Sequence, residues 1–193
     1  MAYSFHDDIK NYLELEKTIL DSLNIGDIDR FINILIDTTK KGGIIYICGN
    51  GGSASTASHF MNDFNKGVGT IDNHPFKFMC LSDNVATITA IANDISYDEI
   101  YSYQLKDRLG PNDIVIGISG SGNSDNVINA IMYAKSCGNT TISLVGYTGG
   151  LLKQLSDYYI HIPIDNMQIV EDIHLILDHL SMYILNQYNE RTK

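Results

Sequence analysis

The sequence predicts a three-layer, doubly wound α/β fold around a five-stranded parallel sheet. Five short runs rich in β-branched and aromatic residues predict strands, at 43–50, 76–83, 113–122, 140–150 and 158–164. Several of these runs are almost continuously apolar, which is typical of strands that helices cover on both faces. Helical patterns separate the runs, and such alternation favours right-handed crossovers within one parallel sheet.

Helices predicted from apolar periodicity complete the order of elements. An N-terminal helical arm over 1–40 contains two helices broken near Asn24. Within an α/β core over 41–165, helices are predicted at about 53–67, 84–93, 97–108 and 123–136. The C-terminal segment, 166–193, is predicted as one long helix from about Met167 to Tyr188.

Organisation and composition bound the class of protein. No stretch resembles a linker or a repeat, so we expect a single domain over residues 1–193. The helical arms exceed what five strands need as cover, which favours a homo-oligomer. A formal charge of -10, with 13 Lys and Arg against 23 Asp and Glu, argues against nucleic acid as a ligand. We expect no signal peptide, no membrane span and a cytoplasmic location.

Two glycine-rich loops follow predicted strands, where open parallel sheets bind ligands. The first, "ICGNGGSAS", places Asn50, Gly51 and Gly52 before Ser53 at the start of a helix. The second, "IGISGSGNSDNVINA", is dense in serine and also opens a helix. Glycine lets the backbone approach a ligand, and unpaired N–H groups at helix starts attract anions.

The anion predicted for these loops is a monophosphate rather than a nucleotide. Neither loop has the G-x-x-x-x-G-K-[ST] pattern of a Walker A loop, because no lysine follows either turn. The first loop also fails the G-x-G-x-x-G dinucleotide pattern, because its sixth position is Ala54. A phosphorylated metabolite held by backbone N–H groups remains compatible with an acidic chain.

The motifs "GNGGS…H", "GISGSGNSDNVI" and "EDIHLILDH" together resemble the SIS (sugar isomerase) domain family, within it most closely the phosphoheptose isomerases. The resemblance covers essentially the whole chain and implies the SIS fold, a doubly wound sheet of the Rossmann or flavodoxin type. It also implies interconversion of sedoheptulose 7-phosphate and glycero-manno-heptose 7-phosphate, one zinc ion per subunit, and a homotetramer with active sites near subunit interfaces.

The resemblance also implies a set of site residues. Substrate contacts would fall on Asn50, Gly51, Gly52, Ser53, Asp63, Asn93, Asp94, Ser119, Gly120, Ser121, Ser124 and Glu171. Zinc ligands would fall on His59, Asp63, Glu171 and His179. The family has Glu in place of Asp63, Gln in place of Glu171, and often Thr in place of Gly120. The shorter Asp63 withdraws its carboxylate by about 1.5 Å, against the hydrogen-bonding reach of about 2.6–3.2 Å that a proton-abstracting base needs.

The spacing of the metal candidates leaves one alternative open. His59 and Asp63 are four residues apart, so they share a helix face. Glu171 and His179 are about 12 Å apart along a helix, so they meet at one ion only if both side chains lean together or come from different subunits. Glu171 with His174 is the local alternative. Two imidazoles and two carboxylates are a sound donor set for zinc.

Aldose–ketose isomerisation through an enediol requires a base, an acid and stabilisation of negative charge. Under the resemblance, Asp63 is the candidate base and His179 the candidate acid or second base, while zinc acts as a Lewis acid. Two alternatives remain: a non-catalytic SIS module that binds a sugar phosphate or a protein, and an isomerase of another ketose phosphate.

Overall fold

The structure, a computed structural model, describes residues 3–192. Residues 1, 2 and 193, the ends of the predicted domain, lie outside that range. The elements in chain order are α1 (His6–Ser22), α2 (Ile25–Lys40), β1 (Ile45–Gly49), α3 (Gly52–Asn62), a π-helix (Asp63–Val68), β2 (Thr70–Ile71), β3 (His74–Pro75), β4 (Phe78–Cys80), α4 (Val85–Asp94), a 3-10 helix (Tyr97–Glu99), α5 (Ser102–Leu105), β5 (Ile114–Ser119), α6 (Asp125–Ser136), β6 (Thr140–Val145), α7 (Gly150–Leu155), β7 (Tyr158–His161) and α8 (Met167–Thr192).

The five predicted strands form one parallel sheet in the order β4-β1-β5-β6-β7. In the register of β1, Ile45 lies opposite Phe78 of β4 and Ile114 of β5. The chain winds outwards from β1 in both directions, so β1 and β5 flank the point where the direction of winding changes. In such sheets the crevice at the carboxyl ends of these two strands is the usual ligand site.

Alternation along the strands divides the core into two layers. On β1, Ile45 and Ile47 pack in the cluster shared with α2, α3 and α8, whereas Tyr46 and Cys48 pack in the cluster shared with α4–α7. Successive side chains of a strand point to opposite faces, so an unbroken apolar run supplies both clusters. The predicted three-layer α/β fold is confirmed by this arrangement.

Four local features differ from the predictions. The helix predicted at about 97–108 is a 3-10 helix at Tyr97–Glu99 followed by the short α5 at Ser102–Leu105. The helix predicted at 53–67 changes at Asp63 from an α-helix to a π-helix. A short β2–β3 hairpin, turning through Asp72 and Asn73 at positive φ, was not predicted. Helix α7 was also missed: it begins at Gly150, the last residue of the predicted run 140–150, and the rest of it lies before the run 158–164, where no element was predicted.

The two ends of the described chain are helical, as predicted. Asn24 caps α2, and its side chain accepts a hydrogen bond from the Gly26 N–H at 2.9 Å, which accounts for the break between α1 and α2. Helix α1 buries none of its residues. Ile9 and Leu13 of α1 are exposed, as is Phe5 just before it. Over residues 3–192, no helix has both the length and the apolar character needed to cross a membrane.

Candidate functional site

The first loop, residues 49–53, is held by a network of amide and hydroxyl groups. The Asn50 and Asn126 side-chain amides exchange hydrogen bonds of 2.8 and 2.9 Å. The Asn50 amide oxygen also accepts hydrogen bonds from the Tyr97 and Tyr101 hydroxyls, at 3.1 and 3.0 Å. These partners occupy the Asn50 side chain, which therefore fixes the loop. Any ligand contact would fall to the backbone.

Gly51 and Gly52 give the loop its open backbone. Gly51 has φ +54°, and a Cβ there would meet nothing within 4 Å, so this face of the loop is free to approach a ligand. Ser53, in the first turn of α3, is buried. The start of α3 therefore presents backbone N–H groups rather than side chains to the crevice.

The serine loop after β5 is folded on itself. The Ser119 and Ser124 hydroxyls lie 3.1 Å apart, and the Gly122 N–H donates to the Ser119 hydroxyl at 3.2 Å. The Ser121 hydroxyl accepts from the Asn123 N–H at 3.2 Å. The loop thus brings three predicted phosphate ligands together at the amino end of α6.

The space that a side chain at position 120 would occupy is taken by a neighbouring residue. A Cβ at position 120 would lie 2.6 Å from the Met167 sulfur at the start of α8. Met167 therefore takes the space where the family often has Thr. The Gly120 carbonyl is also engaged, because it accepts a hydrogen bond from the Gly146 N–H at 2.8 Å.

Helices α3 and α8 pack along each other and bring the two predicted histidines together. The Nε2 atoms of His59 and His179 lie 3.1 Å apart. One Asp63 carboxylate oxygen lies 3.5 Å from the His59 Nε2 and 4.0 Å from the His179 Nε2. A tetrahedral zinc ion about 2.0–2.2 Å from each ligand needs ligand atoms about 3.3–3.6 Å apart. The observed spacings bracket that value, so these three residues fit a metal ion.

Asp178 joins this group and was not predicted. One ligand atom from each of His59, Asp63, Asp178 and His179 lies within 4.8 Å of the others. Asp178 is fully buried, and neither carboxylate oxygen has a hydrogen-bond partner in the described part of the chain. Burial, and secondarily the Asp63 charge, raises the pKa of Asp178 to about 8. A cation between these groups would offset both effects, so the donor set fits a metal.

Glu171 lies outside this group, unlike the predicted zinc set. A Cβ added to Gly52 would lie 2.4 Å from both Glu171 carboxylate oxygens. The carboxylate therefore lies against Gly52, the first residue of α3. Glu171 is seven residues before Asp178, about 10 Å along α8, which explains the separation. This position suits the predicted substrate contact. The local alternative, Glu171 with His174, is not supported either, because His174 is fully buried and absent from the group.

Asn93 and Asp94 lie in the last turn of α4, both exposed. The Asn93 amide donates to the Asp94 carboxylate at 2.8 Å. Among the hydrogen bonds that the described residues form, none links this pair to either loop. Their predicted substrate contact therefore stays a prediction.

Known proteins resemble the chain in sequence and in fold. Residues 9–146 match the SIS domain family. A phosphoheptose isomerase of Helicobacter pylori is 40% identical over 77% of both chains. The chain belongs to the SIS domain family.

Two further comparisons extend the match of this SIS domain towards full length. A phosphoheptose isomerase of Aliarcobacter butzleri is 32% identical over 92% of this chain and 95% of its own. The solved phosphoheptose isomerase of Francisella tularensis is 26% identical, with a TM-score of 0.87 over 96% of this chain and 100% of the other. The predicted family and fold are confirmed.

The SIS domain carries a second buried polar group, His174, whose charge state gives a testable pH effect. Both ring nitrogens lack a partner among residues 3–192, and burial lowers the pKa of His174 to about 3. The unfolded chain binds the proton below pH 6.5, so folding loses about 1.4 kcal/mol per pH unit below that value. We expect His174→Leu to gain about 2 kcal/mol relative to wild type between pH 7 and pH 5.

Urea unfolding of both proteins in chelator, from pH 7 to pH 4.5, measures this difference. Comparing the variant with wild type is essential, because protonation of Asp178 below pH 8 changes the wild-type stability in the opposite direction. Parallel pH profiles would contradict the expectation.

Proposed function

We propose that this chain is a phosphoheptose isomerase that interconverts D-sedoheptulose 7-phosphate and D-glycero-D-manno-heptose 7-phosphate. The names of relatives at 32–40% identity confirm the predicted isomerase at the level of the enzyme. The observation that carries the proposal for this chain is the cluster of His59, His179 and Asp63. It lies farther along α3 than the glycine-rich loop that opens this helix.

The two loops and the histidine pair suit the two ends of a linear sugar phosphate. The serine loop would hold the phosphate through Ser119, Ser121 and Ser124 and the N–H groups of α6. His59 lies two helical turns, about 10 Å, beyond Gly52. A groove of 590 Å³ leads along this face of α3, lined by Ala54, Ser55, Ser58, His59, Asn62, Ser82 and Asp83. Anchoring the phosphate would orient the reacting end towards His59 and Asp63.

In the proposed mechanism the proton moves between C1 and C2 through an enediol. Asp63 would take the proton from carbon, because it is the carboxylate that lies beside both histidines. His179, whose side chain is 55% exposed, would donate a proton to the substrate oxygen from Nδ1, because its Nε2 would be held by the metal. Zinc, when bound, would supply a Lewis acid for the developing negative charge. Glu171, against Gly52, would contact the sugar chain.

The remaining parts of the proposal follow the family. The product would enter nucleotide-activated heptose synthesis for lipopolysaccharide or capsule, in the cytoplasm. A homotetramer with active sites near subunit interfaces is supported by the exposed apolar residues Phe5, Ile9 and Leu13 of the N-terminal arm. The proposal also includes a single domain made of the N-terminal arm (1–40), the α/β core (41–165) and the C-terminal helix (166–193).

Two observations favour the alternative of a non-catalytic SIS module. The shortened Asp63 and the engaged Asn50 amide suit a non-catalytic SIS module that binds a sugar phosphate or a protein. An isomerase of another ketose phosphate differs only in sugar length. Both are outcomes of the experiment that follows.

Purified protein is incubated with sedoheptulose 7-phosphate, with and without zinc, and aldose formation is measured. We expect turnover with zinc and its loss after chelation. Zinc-loaded protein that binds but does not convert the sugar supports the non-catalytic module. Faster turnover of a five- or six-carbon ketose phosphate supports the other isomerase. Full turnover after complete zinc removal would contradict the metal assignment.

A further inference from the structure

Asp178 combines complete burial with a carboxyl group that has no hydrogen-bond partner within residues 3–192, a combination that a fold rarely keeps without a use. Both carboxylate oxygens are buried and unpaired within residues 3–192. Leaving a buried charged group without a hydrogen bond or counter-ion is costly unless a cation or proton is present. The side chain therefore requires a partner that the folded chain itself does not provide.

The position of Asp178 identifies the chemistry of that partner. Its carboxylate shares a cluster with two imidazoles and a second carboxylate, all within 4.8 Å of one another. The two imidazole nitrogens 3.1 Å apart are also ligands of the kind that divalent transition metals prefer. A lysine or arginine partner is not found for Asp178 or Asp63 among the ion pairs of the described residues.

The spacing along α8 distinguishes Asp178 from Glu171 as the fourth donor. Asp178 is adjacent to His179, whereas Glu171 is two turns away and lies against Gly52. The Asp63 side chain is one methylene shorter than the family's Glu. A second carboxylate beside His179 compensates for that shorter reach by approaching the ion from α8.

We propose that Asp178 is the fourth ligand of the metal ion in this chain, together with His59, Asp63 and His179, and that Glu171 is free for substrate. The inference rests on the proposed metal centre but not on the identity of the sugar. Metal affinity therefore tests it separately from turnover.

The experiment titrates chelator-treated protein with zinc against a competing dye. Asp178→Asn is expected to weaken zinc binding about 100-fold, at least as much as loss of an outer-shell partner. Glu171→Gln is expected to change it less than 3-fold. Glu190→Gln is the matched control, since it neutralises an exposed carboxylate on the same helix. An affinity of Asp178→Asn within 3-fold of wild type would overturn the inference, as would an equal loss in Glu171→Gln.

Thermal unfolding of the metal-free proteins separates a ligand from a structural role. Because Asp178 has no partner to lose, Asp178→Leu is expected to melt no lower than wild type without zinc. It is also expected to lose most of the zinc-induced rise in Tm. A metal-free Tm at least 5 °C below wild type for both Asp178 variants would show a structural role and overturn the inference. If wild type binds zinc but does not convert sedoheptulose 7-phosphate, the proposed function is contradicted and the assignment of Asp178 is not.

Discussion

Asp63→Asn is expected to lower kcat/KM for sedoheptulose 7-phosphate about 1,000-fold, the middle of the range for removal of a general base. This corresponds to about 4 kcal/mol of transition-state stabilisation. The Asp63 carboxylate lies beside both histidines, and its other oxygen accepts a hydrogen bond from the Asn62 amide at 3.0 Å. Asparagine keeps the shape of this contact but cannot take a proton from carbon.

Asp63 is also a proposed metal ligand, so the assay needs two controls. Zinc content is measured in each protein, and kcat is compared only at full occupancy. Asp29→Asn, an exposed carboxylate on α2, controls for the loss of one charge. Asp63→Glu restores the side-chain length of the family and is expected to retain activity within about 10-fold of wild type. If zinc-loaded Asp63→Asn keeps a tenth of the wild-type kcat/KM, Asp63 is not the base.

The sheet could be predicted from the sequence because each strand is a continuous apolar run that ends at a small or polar residue. The right-handed crossover rule restricts the topology but does not give the strand order β4-β1-β5-β6-β7, which the structure supplies, and the position of the crevice follows from that order. The break between α1 and α2 was also predicted near Asn24, and the structure shows that the Asn24 side chain caps α2. These are short-range signals, so one sequence is enough to detect them.

The site was harder because it depends on how two distant helices align. Asp178 falls next to His179 in the sequence, but only the packing of α8 against α3 shows that it faces Asp63. The placement of Glu171 against Gly52 is likewise a long-range contact. The resemblance supplied His59, Asp63 and His179, which lie together, and also Glu171, whose carboxylate lies against Gly52 and outside that group. A carboxylate within an otherwise apolar stretch of α8 was the available signal for Asp178.

The π-helix at Asp63–Val68 is another feature that could not be predicted from the sequence. A wider turn leaves the apolar periodicity almost unchanged over six residues, so the sequence gives no clear sign of it. It begins at Asp63 itself, and π-helical turns are frequent at functional sites. Each π-helical hydrogen bond spans one residue more than in an α-helix, which changes the direction of the side chains that follow Asp63. Gly67 in this segment lies against Met182 of α8.

Gly122→Ala is expected to destabilise the protein by about 3 kcal/mol, because it combines two separate costs. Gly122 has φ +69°, which costs an alanine about 1 kcal/mol. An added Cβ would also lie 2.0 Å from the Gly149 carbonyl oxygen, and overpacking of this kind costs about 1–3 kcal/mol. Gly122 helps to join the serine loop to α7: its carbonyl accepts the Leu152 N–H at 3.0 Å, and the neighbouring Asn123 side chain accepts the Leu151 N–H at 3.0 Å. Relief of the clash would therefore displace the proposed phosphate site.

Gly138→Ala separates the two costs, because Gly138 has φ +82° with nothing within 4 Å of an added Cβ. Urea unfolding is expected to show a loss of about 1 kcal/mol for Gly138→Ala, and about three times that for Gly122→Ala. Only the Gly122 variant is expected to raise KM for the sugar phosphate, because only its clash moves Ser119 and Ser124. Equal losses in the two variants would show that backbone conformation alone sets the cost. An unchanged KM in Gly122→Ala would place phosphate binding elsewhere than the serine loop.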